Sequence, residues 1–277
     1  NGKIYKGKLS IEGMTQPLDL LVGSLVLDQE VLDRTLPGCF SDYTAQKRRS
    51  SAVRLASSKG VIEKVKIRDS KKAVYEFLAL QVWHDVLDFY SEVNDLNFRA
   101  PMPVGLGVAS DGNTTLFMEF INGYEISKLG TMKRTTPVII PGHKYAVPLY
   151  PACAFFLGAL NRIKEEEGLY HSDYDERHVI FSPVENVGIG VIDVENSTAG
   201  RGIESVQSES ESIWNFFQKS TSSPRDKQNL DTWYQQGRES LVIPSPAGRI
   251  DAVLGRINKQ YNVEFDMKSK RINGVFV

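Results

Sequence analysis

The sequence predicts an α+β fold of two lobes, a small lobe built on an antiparallel sheet followed by a mainly helical one. Three observations predict it: β-rich runs paired around short turns before residue 122, one long helical segment among them, and apolar residues at helical spacing through most of the chain after residue 148. The bulk numbers permit such a fold, since 277 residues that are 41% hydrophobic and 24% charged can bury a sizeable core. Lys and Arg number 33 against 34 Asp and Glu, so no overall field favours a nucleic acid or an anionic membrane as partner. Cys39 and Cys153 stand far apart, which argues against a disulfide framework or a multi-cysteine zinc site and makes a reducing, cytoplasmic setting the expectation. No apolar run approaches the roughly 20 residues that span a bilayer, and the first ten residues lack the apolar core of a signal peptide.

The elements follow in order. Residues 1–45 are expected to form an extension, with an alternating stretch at 3–11, a short helix around 25–32 and a break at Pro37-Gly38. The first lobe is expected over 46–122. There, 52–56 and 61–67 are β-rich runs separated by Ser57-Ser58-Lys59-Gly60, which reads as a hairpin. Asp69 or Ser70 can cap a helix running to about Val93, with Val74, Phe77, Leu78, Val82, Leu87 and Phe89 on a mostly apolar face. Pro101-Met102-Pro103 closes that connection, and two strands, 104–109 and 115–121, turn at Asp111-Gly112-Asn113.

The second lobe is expected over 123–277, after a Gly/Pro-rich crossing that ends at Pro148. Cys153, Phe156, Leu157, Leu160 and Ile163 mark a core helix ended by Gly168. Short β-like runs at 179–181 and 189–194 come next, then helices near 209–219, 230–241 and 249–261. Glu165-Glu166-Glu167 reads as a solvated helix end, His84 and His143 as structural, and 268–271 as a short basic patch.

The informative segment is His171-Ser172-Asp173-Tyr174-Asp175-Glu176-Arg177-His178-Val179-Ile180-Phe181, followed by Val191-Ile192-Asp193. It resembles the catalytic loop and metal-binding strand of the protein-kinase-like superfamily, in which His-x-Asp is followed five residues after the Asp by Asn, and a second Asp ends the next strand. His178 stands in the Asn place. The resemblance implies ATP and Mg2+ or Mn2+ as cofactors, Asp173 as the residue that orients the acceptor hydroxyl and takes its proton, and Asp193 as a metal ligand. His178 would either ligate the metal, favouring a softer ion such as Mn2+, or brace the loop by hydrogen-bonding Asp173. His171 is expected to brace, and Glu195, in the place of the family's usual Gly, either to help with metal or to turn the chain.

The resemblance extends into the first half. Lys64, on the strand Val61-Ile62-Glu63-Lys64, and Glu76, on the following helix, take the places of the ion pair that aims a lysine at the α- and β-phosphates. Lys66, two residues on and on the same strand face, is the rival lysine. Met118-Glu119-Phe120-Ile121 resembles the hinge, where backbone groups of Glu119 and Ile121 would meet the adenine. A glycine-rich phosphate loop is missing; in its place stands Gln46-Lys47-Arg48-Arg49-Ser50-Ser51, whose Lys47, Arg48 and Arg49 would clamp phosphate, with Ser50 and Ser51 donating hydrogen bonds, or form a solvated turn.

No long activation segment closed by Ala-Pro-Glu follows Asp193, so the chain looks closer to the compact RIO, Bud32-like, aminoglycoside- or choline-kinase-like branches. The function implied is an ATP-dependent phosphotransferase acting on a hydroxyl of a protein Ser/Thr or of a small molecule, with no membrane and no nucleic acid as partner. A pseudokinase that binds nucleotide or protein without transfer is the alternative.

Overall fold

The structure is a computed structural model that describes residues 4–9, 18–23, 27–28, 46–47, 51–56, 61–66, 70–108, 114–132, 135–184, 186–200, 202–219, 224–244 and 249–273. Strands β1 (Ile4–Leu9) and β2 (Leu18–Gly23) pair antiparallel with each other. β3 (Leu27–Asp28), β4 (Gln46–Lys47), β5 (Ser51–Ala56) and β6 (Val61–Lys66) precede helix α1 (Ser70–Asn94). β7 (Asn97–Arg99), β8 (Pro103–Val108) and β9 (Thr114–Glu119) follow it. A six-stranded sheet in the order β3-β8-β9-β6-β5-β4 forms the first lobe.

The expected hairpin is present, with Val53 opposite Lys64 and Leu116 on the other side of that lysine. The short helix expected around 25–32 is not formed at Leu27–Asp28, which pair parallel with Gly107–Val108; the remainder of that stretch lies outside the described residues. The open edge of β8 offers backbone partners along its length, and that tertiary pairing outweighs a weak local preference for helix. Cys39 also lies outside the described residues.

Helix α1 departs from the one-faced reading. Ala73 through Leu80 are all buried, as are Val82, Trp83, Val86, Leu87 and Tyr90. A stretch buried all round, as 73–80 is, must be covered on every side, and α1 lies against β6, β8 and β9 of the sheet, β7, the turn after Asp193 and the last helix of the chain. It is the shared core of both lobes.

The second lobe holds β10 (Tyr124–Glu125), β11 (Pro137–Val138), β12 (Val147–Pro148), helix α2 (Leu149–Glu167), β13 (Val179–Ser182) and β14 (Gly188–Val191). Helices α3 (Ile203–Lys219), α4 (Pro224–Ser240) and α5 (Arg249–Tyr261) come next, then the hairpin β15 (Glu264–Asp266) and β16 (Arg271–Asn273). β7, though it lies before the lobe crossing in sequence, runs parallel to β14 in the sheet β10-β13-β14-β7. Among the described residues no helix is long and apolar enough to cross a membrane.

Gly168 ends α2 as expected, in the left-handed conformation (φ 66°), with its amide directed at the Glu165 carbonyl and the Leu169 amide at that of Lys164. This is the Schellman arrangement, which satisfies carbonyls the helix end leaves open. α2 and α4 pack closely because each presents a glycine: a Cβ at Gly158 would overlap the Tyr234 carbonyl, and one at Gly237 the carbonyl of Phe155. The acidic triplet is not a solvated face. Glu165 accepts two hydrogen bonds from Arg238 on α4, at 2.7 and 2.9 Å, and Glu167 accepts one from Tyr90 on α1 at 2.9 Å. Sequence could not show this, because both partners come from distant helices.

Overpacking the α2–α4 contact has a predictable cost. Gly158→Val is expected to lose about 1–3 kcal/mol in urea unfolding. Gly255→Ala on α5, where an added Cβ meets nothing within 4 Å, is expected to gain about 0.4–1 kcal/mol by restricting the unfolded chain.

Candidate active site

Lys64 reaches from the middle of β6 into the space between the lobes. Its Nζ donates to Glu76 Oε1 at 2.8 Å, makes a short contact with Asp193 Oδ1, and lies 3.4 Å from Glu195 Oε2. The Lys64 side chain is 6% exposed and that of Glu76 is fully buried. Burial alone would lower the lysine's pKa, but the charges of Glu76 and Asp193 and their hydrogen bonds outweigh it and hold the group above its ordinary value. Three carboxylates from two lobes thus converge on one ammonium. Lys66 occupies the same strand face two residues on, but its side chain lies outside the described residues, and it is Lys64 that meets the helix glutamate.

Asp193 follows β14 with a left-handed backbone (φ 62°, ψ 48°), which turns the chain into a 3-10 turn, Val194–Asn196. Ser172, beside Asp173, is also left-handed (φ 64°). Non-glycine residues in this region are uncommon and cluster where a site demands a particular aim. α1 is tied to the same turn from the other side, by a short hydrogen bond from the Tyr75 hydroxyl to the Ser197 carbonyl. Helix and metal-loop candidate therefore form one unit.

His178 joins the two loops. Its Nδ1 lies 2.6 Å from the Asp173 carbonyl, which can only accept, so Nδ1 carries the proton. Nε2 then faces Asp193 Oδ2 at 3.4 Å. The imidazole is buried, whereas the Asp173 side chain is 54% exposed. His171 braces the loop from beneath. Its Nε2 donates to the Ile192 carbonyl at 2.9 Å and its Nδ1 accepts the Asp173 amide at 3.3 Å.

The residues that position this loop were not legible in sequence. Glu209, on α3, accepts the backbone amides of His171 at 3.1 Å and Ser172 at 2.7 Å, and it pairs with Lys164 of α2 at 2.6 Å. The Lys164 ammonium is fully buried and sits over the Tyr174 ring, 3.1 Å from its centroid. Burial lowers its pKa to about 8, with Glu209 opposing the shift. Tyr174 in turn donates to Asn161, which donates to Tyr234 of α4. Only three-dimensional proximity reveals Glu209, since nothing in its helix sets it apart from Glu204 and Glu211.

The other expected residues fall as follows. Glu119 ends β9, and its amide is donated to the Met102 carbonyl at 2.9 Å. Ile121 is buried beside Gly190. Ser51 begins β5 opposite Lys66, with its side chain outside the described residues, and Arg48, Arg49 and Ser50 lie outside them altogether. His84 bonds the Ala100 carbonyl at 3.1 Å, and His143 packs on Phe155 and Trp233. Cys153 is buried, as its place on the apolar stripe predicts.

Among the described residues, two groupings have donor atoms within 4.8 Å of one another: Glu76, Asp193 and Glu195, and Asp173, Asp175 and His178. Oxygen donors from Asp193 and Glu195 fit a hard divalent cation, and the His178 Nε2 lone pair beside Asp193 adds a softer donor. The residues present fit a metal ion at the junction of these groupings.

No protein-family model matches the chain, and no curated protein matches its sequence. Solved structures do resemble it. WaaP, in a complex with acyl carrier protein, is 14% identical, with 86% of this chain and 97% of that one covered and a TM-score of 0.44. A Toxoplasma kinase described as divergent and lacking the glycine-rich loop is 17% identical, with 83% and 84% covered and a TM-score of 0.44. Vaccinia related kinase 3 is 10% identical, with 77% and 78% covered and the same TM-score. The likeness is one of coarse architecture.

Two outcomes are expected from this geometry. Lys164→Met leaves the Glu209 carboxylate buried without its cation and should cost about 3–5 kcal/mol of stability in denaturant unfolding. His171, buried and neutral with its pKa lowered to about 3 by burial, protonates in the unfolded chain below its ordinary 6.5 but not in the folded one. Stability is therefore whole above pH 6.5 and falls by up to about 1.4 kcal/mol per unit below it; the melting temperature of His171→Gln should decline less steeply between pH 6.5 and 5.

Proposed function

We propose that the chain is an ATP-dependent phosphotransferase that moves the γ-phosphate to a hydroxyl acceptor, a protein Ser/Thr or a small molecule. The observation that supports it most is the meeting of Lys64 with both Glu76 and Asp193, which are 12 and 129 residues away in sequence. Such a cation, clamped at the lobe junction beside a metal-fitting carboxylate, suits the triphosphate of a nucleotide. Transfer needs alignment and charge neutralisation more than covalent help from the protein.

In this reading Lys64 holds the α- and β-phosphates, and Glu76 keeps the lysine aimed. Asp193, with Glu195 and His178, would hold Mg2+ or Mn2+, which when bound neutralises charge on the phosphates. Asp173, exposed at the loop tip, takes the acceptor's proton as the acceptor oxygen bonds the γ-phosphorus and the bond to the β-bridging oxygen breaks, releasing ADP. The backbone at Glu119 and Ile121 would meet the adenine. Arg48, Arg49, Ser50 and Ser51 would cover the phosphates in place of a glycine-rich loop, with Lys66 beside them. A cytoplasmic setting belongs to the same proposal.

The His178 substitution favours a second reading, a pseudokinase that binds nucleotide without transfer, because an imidazole replaces the amide oxygen that suits Mg2+. Labelled ATP separates the two. Asp173→Asn should lose transfer by at least about a hundredfold while binding nucleotide normally, as expected for a general base. Asp193→Asn should lose metal-dependent binding as well. Nucleotide bound by the wild type with no label transferred to any acceptor in a cell extract would favour the pseudokinase. If His178 is a ligand, His178→Asn should lower the ratio of Mn2+- to Mg2+-supported turnover; an unchanged ratio assigns it to bracing.

A further inference from the structure

A cavity of about 640 Å3 opens between the first turn of α1, the 3-10 turn after Asp193 and the β15–β16 hairpin. Lys71 and Lys72 line it from α1, and Lys270 and Arg271 from the hairpin, against a single carboxylate among the described residues, Glu195. These lysines and the arginine stand some 200 residues apart in sequence, and only folding gathers them. The 268–271 stretch, too short to signify as a linear patch, becomes half of a basic pocket.

Two features make this more than a chance gathering of surface charge. The first turn of α1 contains no acidic residue, and it carries two lysines where the helix dipole already concentrates positive potential. Lysines at a helix N-terminus work against the dipole, and residues that break a local rule are expected where function calls for them. In addition, no ion pair among the described residues engages Lys71 or Arg271. The Tyr75 ring, edge-on to Phe265 at 5.4 Å, holds the hairpin against the helix and shapes the cavity wall.

We propose that this cavity binds a phosphate-bearing small molecule at a site distinct from the nucleotide cleft. Its volume suits a diphosphate or a sugar phosphate. Its cations provide the charge-assisted hydrogen bonds that phosphate oxygens accept. Glu195 is the wall shared with Lys64, and Tyr75 immediately precedes Glu76, so a bound anion would clamp α1 to the C-terminal hairpin beside the Lys64 cluster. Anion binding at this cavity does not depend on phosphoryl transfer.

The test is calorimetric titration of the full chain with inorganic pyrophosphate at low salt and with EDTA present. Saturable one-to-one binding is expected, weakened at least tenfold in Lys71→Glu/Arg271→Glu and in the milder Lys71→Gln/Arg271→Gln. It should be unchanged in Lys227→Glu/Lys259→Glu, which removes two exposed lysines outside the cavity. Absence of saturable binding overturns the proposal. So does equal affinity in the cavity variants, which locates the anion elsewhere, or equal weakening in the control pair, which reduces the effect to general electrostatics. A phosphoserine peptide binding more than tenfold tighter than pyrophosphate would replace the small molecule with a protein partner.

Discussion

Burying one ammonium group requires everything around it to be arranged for that purpose. Lys64 gives up its hydration at the junction of the lobes, and the loss is tolerable only because Glu76, Asp193 and Glu195 surround it. Each carboxylate comes from a different piece of structure or a different turn of it. The sheet must therefore hold β6 in register, α1 must stand at a set height against that sheet, and the backbone at Asp193 must turn left-handed to face back. Displacing any one of them would leave a buried charge without its partner, a cost large compared with the stability of a typical domain.

A second buried cation has a similar role, deeper in the helical lobe. Lys164 and Glu209 fasten α2 to α3, and the same glutamate takes the two amides that precede Asp173. The exposed carboxylate at the loop tip is thus held by side chains that are themselves largely out of solvent. His171 and His178, stacked with ring centroids 5.7 Å apart, complete the support from below and connect the loop to β14. Networks of this kind are strong where every member is satisfied, because the low local dielectric amplifies each bond.

Helix α1 connects these layers to the rest of the molecule. Its N-terminal turn faces a basic cavity, its second turn carries Glu76, and its far end meets β7 through Ser91 and α2 through Tyr90 and Glu167. On α5, Arg256 pairs with Asp85 and Tyr261 donates to Gln81 at 2.8 Å, so the last helix of the chain also leans on α1. α1 is thus in contact with both lobes and with the C-terminal hairpin.

Much of the fold is legible in the sequence. The hairpin around Lys64, the length of α1, the α2 stripe ended by Gly168 and the spacing from His171 to Asp193 depend on local periodicity and on turn chemistry, which a linear sequence carries directly. The Leu27–Asp28 strand, the β7–β14 pairing, the burial of Glu165 and Glu167, and the roles of Glu209, Lys164 and the 270–271 cations were not readable, because each depends on a partner far away in the chain. The reason is physical: helix and strand periods are short-range properties of the backbone, whereas the worth of a charge is decided by what surrounds it. The sequence by itself determined the two-lobed α+β plan and the order of the site's residues; only the tertiary structure decided which lysine meets the glutamate, which histidine faces the carboxylate, and which charges are buried.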